Sequence, residues 1–172
     1  MIEAYTGLPG AGKTYNMVRR AYAKHLQGKK IYANFKTTFA TYYKELDEIF
    51  GIQDAIVLID EAGIYLPAQA WNKIPFEFMR SIRQHRKNGL DMYYTAQDLQ
   101  DVATALRRVT QFQRDINRTW KFCFERTTNP RTKEKYGFEI SILNKKIFDL
   151  YDTYDEVEFG SYMELGNNAN TK

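Results

Sequence analysis

One cysteine, Cys123, stands among 172 residues. A single thiol excludes an internal disulfide and a cysteine-rich zinc site, and an intracellular, reducing compartment fits it. Histidine is nearly as scarce, and His25 and His85 are too few and too scattered for a metal cluster. No run approaches the roughly 18 apolar residues of a membrane span, so no intrinsic span is expected. The chain opens directly on an apolar stretch, so no signal peptide is expected. Internal repeats and flexible linkers are missing too. Neither charge sign is in large excess. The balance of +4 permits contact with nucleic acid without requiring it.

What is present suits one α/β domain with a sizeable core. Hydrophobic residues make up 44 % of the chain, and there are thirteen tyrosines and eleven phenylalanines. Much of the tyrosine reads as amphipathic core edge, not as a base-stacking surface.

The chain is organised around Gly7-Leu8-Pro9-Gly10-Ala11-Gly12-Lys13-Thr14. It fits G-x-x-x-x-G-K-[ST], between an apolar strand at 2–6 and a helical pattern at 13–27. Glycines let successive backbone N–H groups turn toward phosphate oxygens, where a Cβ would crowd the ligand. The helix that follows presents its positive dipole end. Lys13 is placed to reach the β- and γ-phosphates of ATP, and the Thr14 hydroxyl to ligate Mg²⁺. Gly28 stops the helix, and 30–34 reads as a second strand.

Ala55-Ile-Val-Leu-Ile-Asp60 is the second strong signal. A continuous apolar run marks a central parallel strand covered on both faces. It ends in Asp60-Glu61, at the carboxyl edge where α/β sheets bind ligands. Asp60 is placed to hold Mg²⁺, and Glu61 to deprotonate an attacking water. A carboxylate there suits hydrolysis better than transfer to another acceptor, and no arginine-rich lid of the kinase sort is visible.

The rest of the chain reads less sharply. Tyr42, Tyr43, Leu46, Ile49 and Phe50 suggest a helix within 35–53, and 63–71 a loop. Pro75 starts a helix over 75–88 that places Phe76, Met79 and Ile82 on the core side. Arg80, Arg83, Arg86 and Lys87 follow their own track on it. That track is a solvated face, a DNA-backbone contact, or a source of an arginine for a neighbouring subunit's nucleotide. Residues 90–96 read as another parallel strand. Gln97 at its tip either senses the γ-phosphate or caps the helix around 98–106, where Leu99, Val102 and Leu106 have core spacing. Arg107 and Arg108 close that helix. Residues 118–127 and 136–143 alternate as strands of a β-hairpin whose tip carries Arg131, Lys133 and Lys135. Those cations either probe DNA or keep an edge soluble. Residues 147–159 form an aromatic and acidic segment, and the last residues a polar tail.

With these motifs in place, the chain resembles the Zot-like (zonular occludens toxin N-terminal domain) family of phage P-loop ATPases, related to the FtsK–HerA class. The resemblance rests on Thr6 to Thr14, on Val57 to Ala62, and on His85-Arg86-Lys87-Asn88-Gly89-Leu90-Asp91 leading to Ala96-Gln97-Asp98. It also rests on Leu106-Arg107 and Leu150-Tyr151-Asp152-Thr153. It implies an ASCE-type P-loop NTPase fold, with a mainly parallel sheet flanked by helices and a C-terminal β-hairpin. A single domain over 1–160 and a tail over 161–172 are expected. It further implies Mg²⁺-dependent ATP hydrolysis in a homo-oligomeric ring that packages a viral genome into a capsid. Lys13, Thr14, Asp60, Glu61 and Gln97 match the expected positions. Arg107 is the first candidate for an arginine finger and Arg86 the second. Expected partners are double-stranded DNA and a capsid vertex or portal component. The expected location is the cytoplasm of the infected host, with virion association as an alternative. The rival reading is an assembly or export ATPase, or a nucleotide switch, acting with a membrane partner. Filamentous-phage relatives continue into a membrane span and this chain stops at Lys172, which favours packaging over extrusion.

Overall fold

The computed structural model describes residues 1–69 and 74–152. Five strands alternate with helices in the first two thirds: β1 (Ile2–Thr6), α1 (Lys13–His25), β2 (Lys30–Ala33), β3 (Thr41–Tyr42), β4 (Ala55–Ile59), α2 (Ala62–Tyr65), α3 (Phe76–Gln84) and β5 (Asp91–Ala96). Then come α4 (Thr104–Val109), β6 (Phe112–Thr119), β7 (Phe122–Thr128), β8 (Lys135–Ile142) and α5 (Lys145–Phe148). All eight strands join one sheet in the order β3-β2-β4-β5-β1-β6-β7-β8. Pairing is parallel from β3 through β6 and antiparallel across β6-β7-β8.

The expected α/β architecture holds, and its central strands are wholly buried. Met17, Val18 and Ala21 of α1 pack on one face, against Tyr5, Ile56, Leu58 and Tyr93. Leu66, Phe78, Ile82 and Leu106 pack on the other, against Ile2, Ala4, Val57, Ile59, Met92 and Tyr94. Both faces of β4 and β5 are thus covered, as continuous apolar runs require.

Several local expectations need correction. The segment 35–53 is not an α-helix: Thr41-Tyr42 pairs with β2, and only Leu46–Ile49 makes one 3₁₀ turn. Thr41, Tyr42 and Tyr43 favour extended backbone, and the reciprocal bonds between Glu45 and Glu48 close the turn. The stretch expected as a loop at 63–71 begins inside α2, and Pro67 bridges to Val102; residues 70–73 lie outside the described residues. Helix α3 ends at Gln84, and its core side is Phe78 and Ile82; Phe76 is 76 % exposed. The i, i+4 pair therefore wins over the i, i+3 track. The helix expected over 98–106 is broken. The Asp98 carboxylate caps the Gln100 N–H, Leu99–Asp101 forms a 3₁₀ turn, and Val102 is extended before α4 starts.

The strand expected over 118–127 is two strands. Trp120 at φ 55° turns the chain between β6 and β7. Strand β6 begins at Phe112, six residues before the expected start, and its parallel place beside β1 was not expected. Its Arg114 and Asp115 hide the pattern, because each is tied to partners on β1. The β7–β8 hairpin matches expectation. Tyr151 bridges to Thr37; the remainder of 147–159 from Thr153 onward, and the tail, lie outside the described residues.

A polar network, buried at Glu3 and Glu125 and exposed at Glu139, joins the antiparallel strands to the parallel sheet. Arg114 Nε donates to Glu3 Oε2 at 2.7 Å, its Nη2 to Glu3 Oε1 at 3.0 Å, and its Nη1 to Glu125 at 2.6 Å. Arg20 of α1 reaches Glu125 at 2.5 Å and Glu139 at 2.9 Å, and Arg19 reaches Glu139 at 2.7 Å.

Candidate active site

Strand order places both nucleotide motifs at one edge. Strand β5 lies between β4, which ends at Asp60, and β1, which leads into the loop at Gly7. The loop runs to Gly12, at φ 92°, and α1 starts at Lys13. Lys13 Nζ donates to the carbonyls of Gly7 at 3.0 Å and Leu8 at 3.2 Å, so the ammonium lies over the loop. The Thr14 hydroxyl stands 3.1 Å from each oxygen of Asp60. A hydroxyl and a carboxylate together are hard oxygen donors of the kind Mg²⁺ takes alongside substrate phosphates. Among the described residues no cluster of three His, Cys, Asp or Glu side chains forms a competing metal site.

Two residues not expected from sequence set this edge. Asn34, at the end of β2 and almost wholly buried, accepts from the Asp60 N–H at 2.7 Å and donates to the Asp60 carbonyl at 3.0 Å. Thr95 of β5 donates to Asp60 Oδ1 at 2.5 Å and accepts from the Glu61 N–H at 2.9 Å. Their only sequence signal is position: each is a polar residue at the carboxyl end of an apolar strand flanking the Asp60 strand. Burial pushes the Asp60 carboxyl up, and the bonds from Thr95 and Thr14 only partly offset it. Burial, with Asp60 beside it, raises Glu61 too, and Lys13 opposes.

Glu61 holds φ 53° and ψ 50°, a left-handed conformation rare for a residue with a side chain. Gln97 is exposed just past the end of β5, and its carbonyl accepts from the Gly7 N–H at 3.3 Å. The arginine candidates lie apart from this group. Arg107 donates to Thr104 within α4, and Arg86 is exposed beyond α3. Of the remaining cations, Arg83 and Arg131 line one groove, and Lys133 lines the groove next to it. Arg80 lies on an apolar groove beside Phe76 and Met79, 3.8 Å from Glu77. Lys87 and Lys135 are exposed outside these grooves.

The family model for zonular occludens toxin (Zot) matches residues 38–156, more than half of the chain. The chain belongs to the Zot family. The match takes in Asp60, Glu61 and Gln97 and begins after the phosphate-loop motif, so the two are independent observations. Among solved structures, the Zot N-terminal domain from Neisseria meningitidis superposes with a TM-score of 0.65 at 21 % identity, over 88 % of this Zot-family chain and 98 % of that one. The DNA-packaging ATPase B204 of Sulfolobus turreted icosahedral virus gives 0.61 at 10 % identity, over 83 % and 98 %. The genome packaging NTPase B204 of Sulfolobus turreted icosahedral virus 2, in complex with ATP-gammaS, gives 0.56 at 10 % identity, over 83 % and 98 %. No curated protein matches. At these identities the likeness is one of fold, that of a P-loop NTPase. Among the described residues no helix is long and apolar enough to cross a membrane.

The loop conformation gives this Zot-family site a direct test. Gly7 has φ 145°, and a Cβ there would meet the Ile116 carbonyl oxygen of β6 at 2.4 Å. Gly7→Ala is expected to cost about 1–3 kcal/mol of stability through backbone strain and to abolish ATP-analogue binding. Urea unfolding and calorimetric titration read both. An unchanged unfolding midpoint would refute the close packing of Gly7 on β6.

Proposed function

We propose that this protein is a phage-type ATPase that hydrolyses ATP to power packaging of a viral genome into a capsid, as a homo-oligomeric ring. The observation that carries the reading is the convergence of Thr14 on Asp60, with Glu61 next in the chain and Gln97 just past the end of the strand between the two motifs. The loop from Gly7 through Leu8, Pro9, Gly10, Ala11 and Gly12 cradles the phosphates with its backbone N–H groups. Lys13 neutralises the β- and γ-phosphates. Thr14 and Asp60 would hold Mg²⁺, which would withdraw charge from the phosphoryl group. Glu61 takes a proton from the attacking water, and burial beside Asp60 raises its proton affinity. Gln97 orients that water and reports the γ-phosphate.

Arg107, or in second place Arg86, completes a neighbouring subunit's site. Such fingers contribute about 10³–10⁵ in rate where they have been measured. Double-stranded DNA and a capsid vertex or portal component are the proposed partners, in the cytoplasm of the infected cell. The likeness to a Zot N-terminal domain favours a second reading, an assembly or export ATPase acting with a membrane partner.

The test is the ATP hydrolysis rate across a wide range of protein concentration, with and without double-stranded DNA, with Lys13→Ala as the blank. Packaging by a ring predicts a specific rate that climbs with concentration and again with DNA. Fast turnover by a proven monomer would sink the trans arginine. A rate that responds to lipid or a partner protein and ignores DNA would transfer the reading to assembly or export.

A further inference from the structure

Helix α3, helix α4 and the β7–β8 tip are distant in sequence, yet their cations meet. A groove of about 680 Å³ is lined by Arg83 and Arg86 from α3 and its following turn, Arg108 from α4, and Arg131 from the tip, and no carboxylate lines it. A second groove of about 500 Å³ adjoins it, sharing Arg108 and Arg131 and adding Arg107 and Lys133. Its one acidic lining residue, Asp98, is occupied in capping the Gln100 N–H. Among the described residues none of these six cations makes an ion pair. Surfaces normally intersperse the two signs, and unpaired like charges held together repel one another.

Polar atoms without partners mark the same place. Arg107 Nε is buried with no acceptor. His85, only 6 % exposed, lines the first groove; its Nδ1 lies 2.6 Å from the Ile82 carbonyl, and its Nε2 has no partner.

The grooves are not this chain's own nucleotide site. No residue from Gly7 to Thr14 lines either groove, and neither Asp60 nor Glu61 does. Thr128, at the end of β7, pairs with Gln113 near the start of β6, so the tip leaves the sheet at the end opposite the phosphate loop. With Arg107 and Arg86 left to a neighbour's triphosphate, Arg83, Arg108, Arg131 and Lys133 still span two joined, open grooves, a spread that suits a polymer of phosphates. We propose that these grooves, centred on Arg108, bind the phosphate backbone of double-stranded DNA. The inference rests on the DNA-directed part of the proposed function and names its contact surface. Arg108 and Arg131 line both grooves and join them into one surface.

The test measures affinity for a short DNA duplex against salt concentration, in the full chain. Two variants of equal net charge are compared, Arg108→Ala with Arg131→Ala and Lys29→Ala with Lys30→Ala, the latter pair exposed at the start of β2. Thermal unfolding confirms that both are folded. The groove variant is expected to lower the slope of log K against log salt by about 2, at roughly 0.9 per lost phosphate contact. The Lys29/Lys30 variant should keep the wild-type slope. Equal losses in both variants, or none in the first, would overturn the groove. So would an intact slope combined with lost concentration-dependent hydrolysis, which would assign these cations to a neighbour's triphosphate. Absence of wild-type DNA binding at low salt would overturn both this surface and the DNA part of the function, while leaving hydrolysis standing.

Discussion

Glu61→Gln is expected to leave ATP binding intact and to lower the single-turnover hydrolysis rate by about 10²–10⁴. The substitution keeps size and hydrogen bonding, so water can still be held, but its proton has nowhere to go. The geometry around Glu61 supports a dedicated role. Its left-handed backbone is held by the bond from its N–H to Thr95, and Thr95 also donates to Asp60. Holding a residue with a side chain in that conformation costs about 1–3 kcal/mol, and such strain is concentrated at working sites. Burial and the neighbouring Asp60 raise the proton affinity of Glu61, which makes it a better base than a solvated carboxylate. Quench-flow with labelled ATP reads the rate, and analogue titration reads binding. A rate within a few-fold of wild type would remove Glu61 from the chemistry.

Arg114→Met should cost about 3–5 kcal/mol of stability, the usual result of removing one partner from a buried ion pair. Arg114 bonds both oxygens of Glu3 and one of Glu125, and both carboxylates are almost fully buried. Methionine fills much of the space but leaves Glu3 with only the Tyr5 hydroxyl as a donor among its side-chain partners. Glu125 keeps Arg20. Urea unfolding of wild type and variant measures the loss. A loss below about 1 kcal/mol, typical of exposed pairs, would mean that the network is solvent-relaxed.

The sequence was most legible where local chemistry and global fold coincide. Gly7 to Thr14 and Ala55 to Glu61 each carry strand, turn and ligand chemistry in one short run, and the structure brings Thr14 and Asp60 together. Partners that act across the sheet were not legible. Asn34 and Thr95 look like ordinary polar strand ends until β2 and β5 flank β4. The start of strand β6 escaped because Arg114 and Asp115 mimic a solvated segment, when each is bonded to a residue of β1. Helix α3 shows the limit of periodicity alone. Phe76 and Phe78 are equally apolar, and only the position of the sheet decides that Phe78 is inside.

The phosphate loop has a wall built from the far end of the sequence. Gly7 lies against the Ile116 carbonyl, and Asn16, one turn into α1, donates to Cys123 Sγ at 3.0 Å. On the ribosome the chain emerges from its N-terminus, so every residue of the two nucleotide motifs is made before any of that wall. The loop can settle only after β6 and β7 have been synthesised and have docked. Until then the apolar β4 run waits in a nascent chain that has no finished pocket to fill. Completion of the phosphate loop is thus a late event in the life of each newly made molecule, and it marks a chain whose strands β6 and β7 have already found their place.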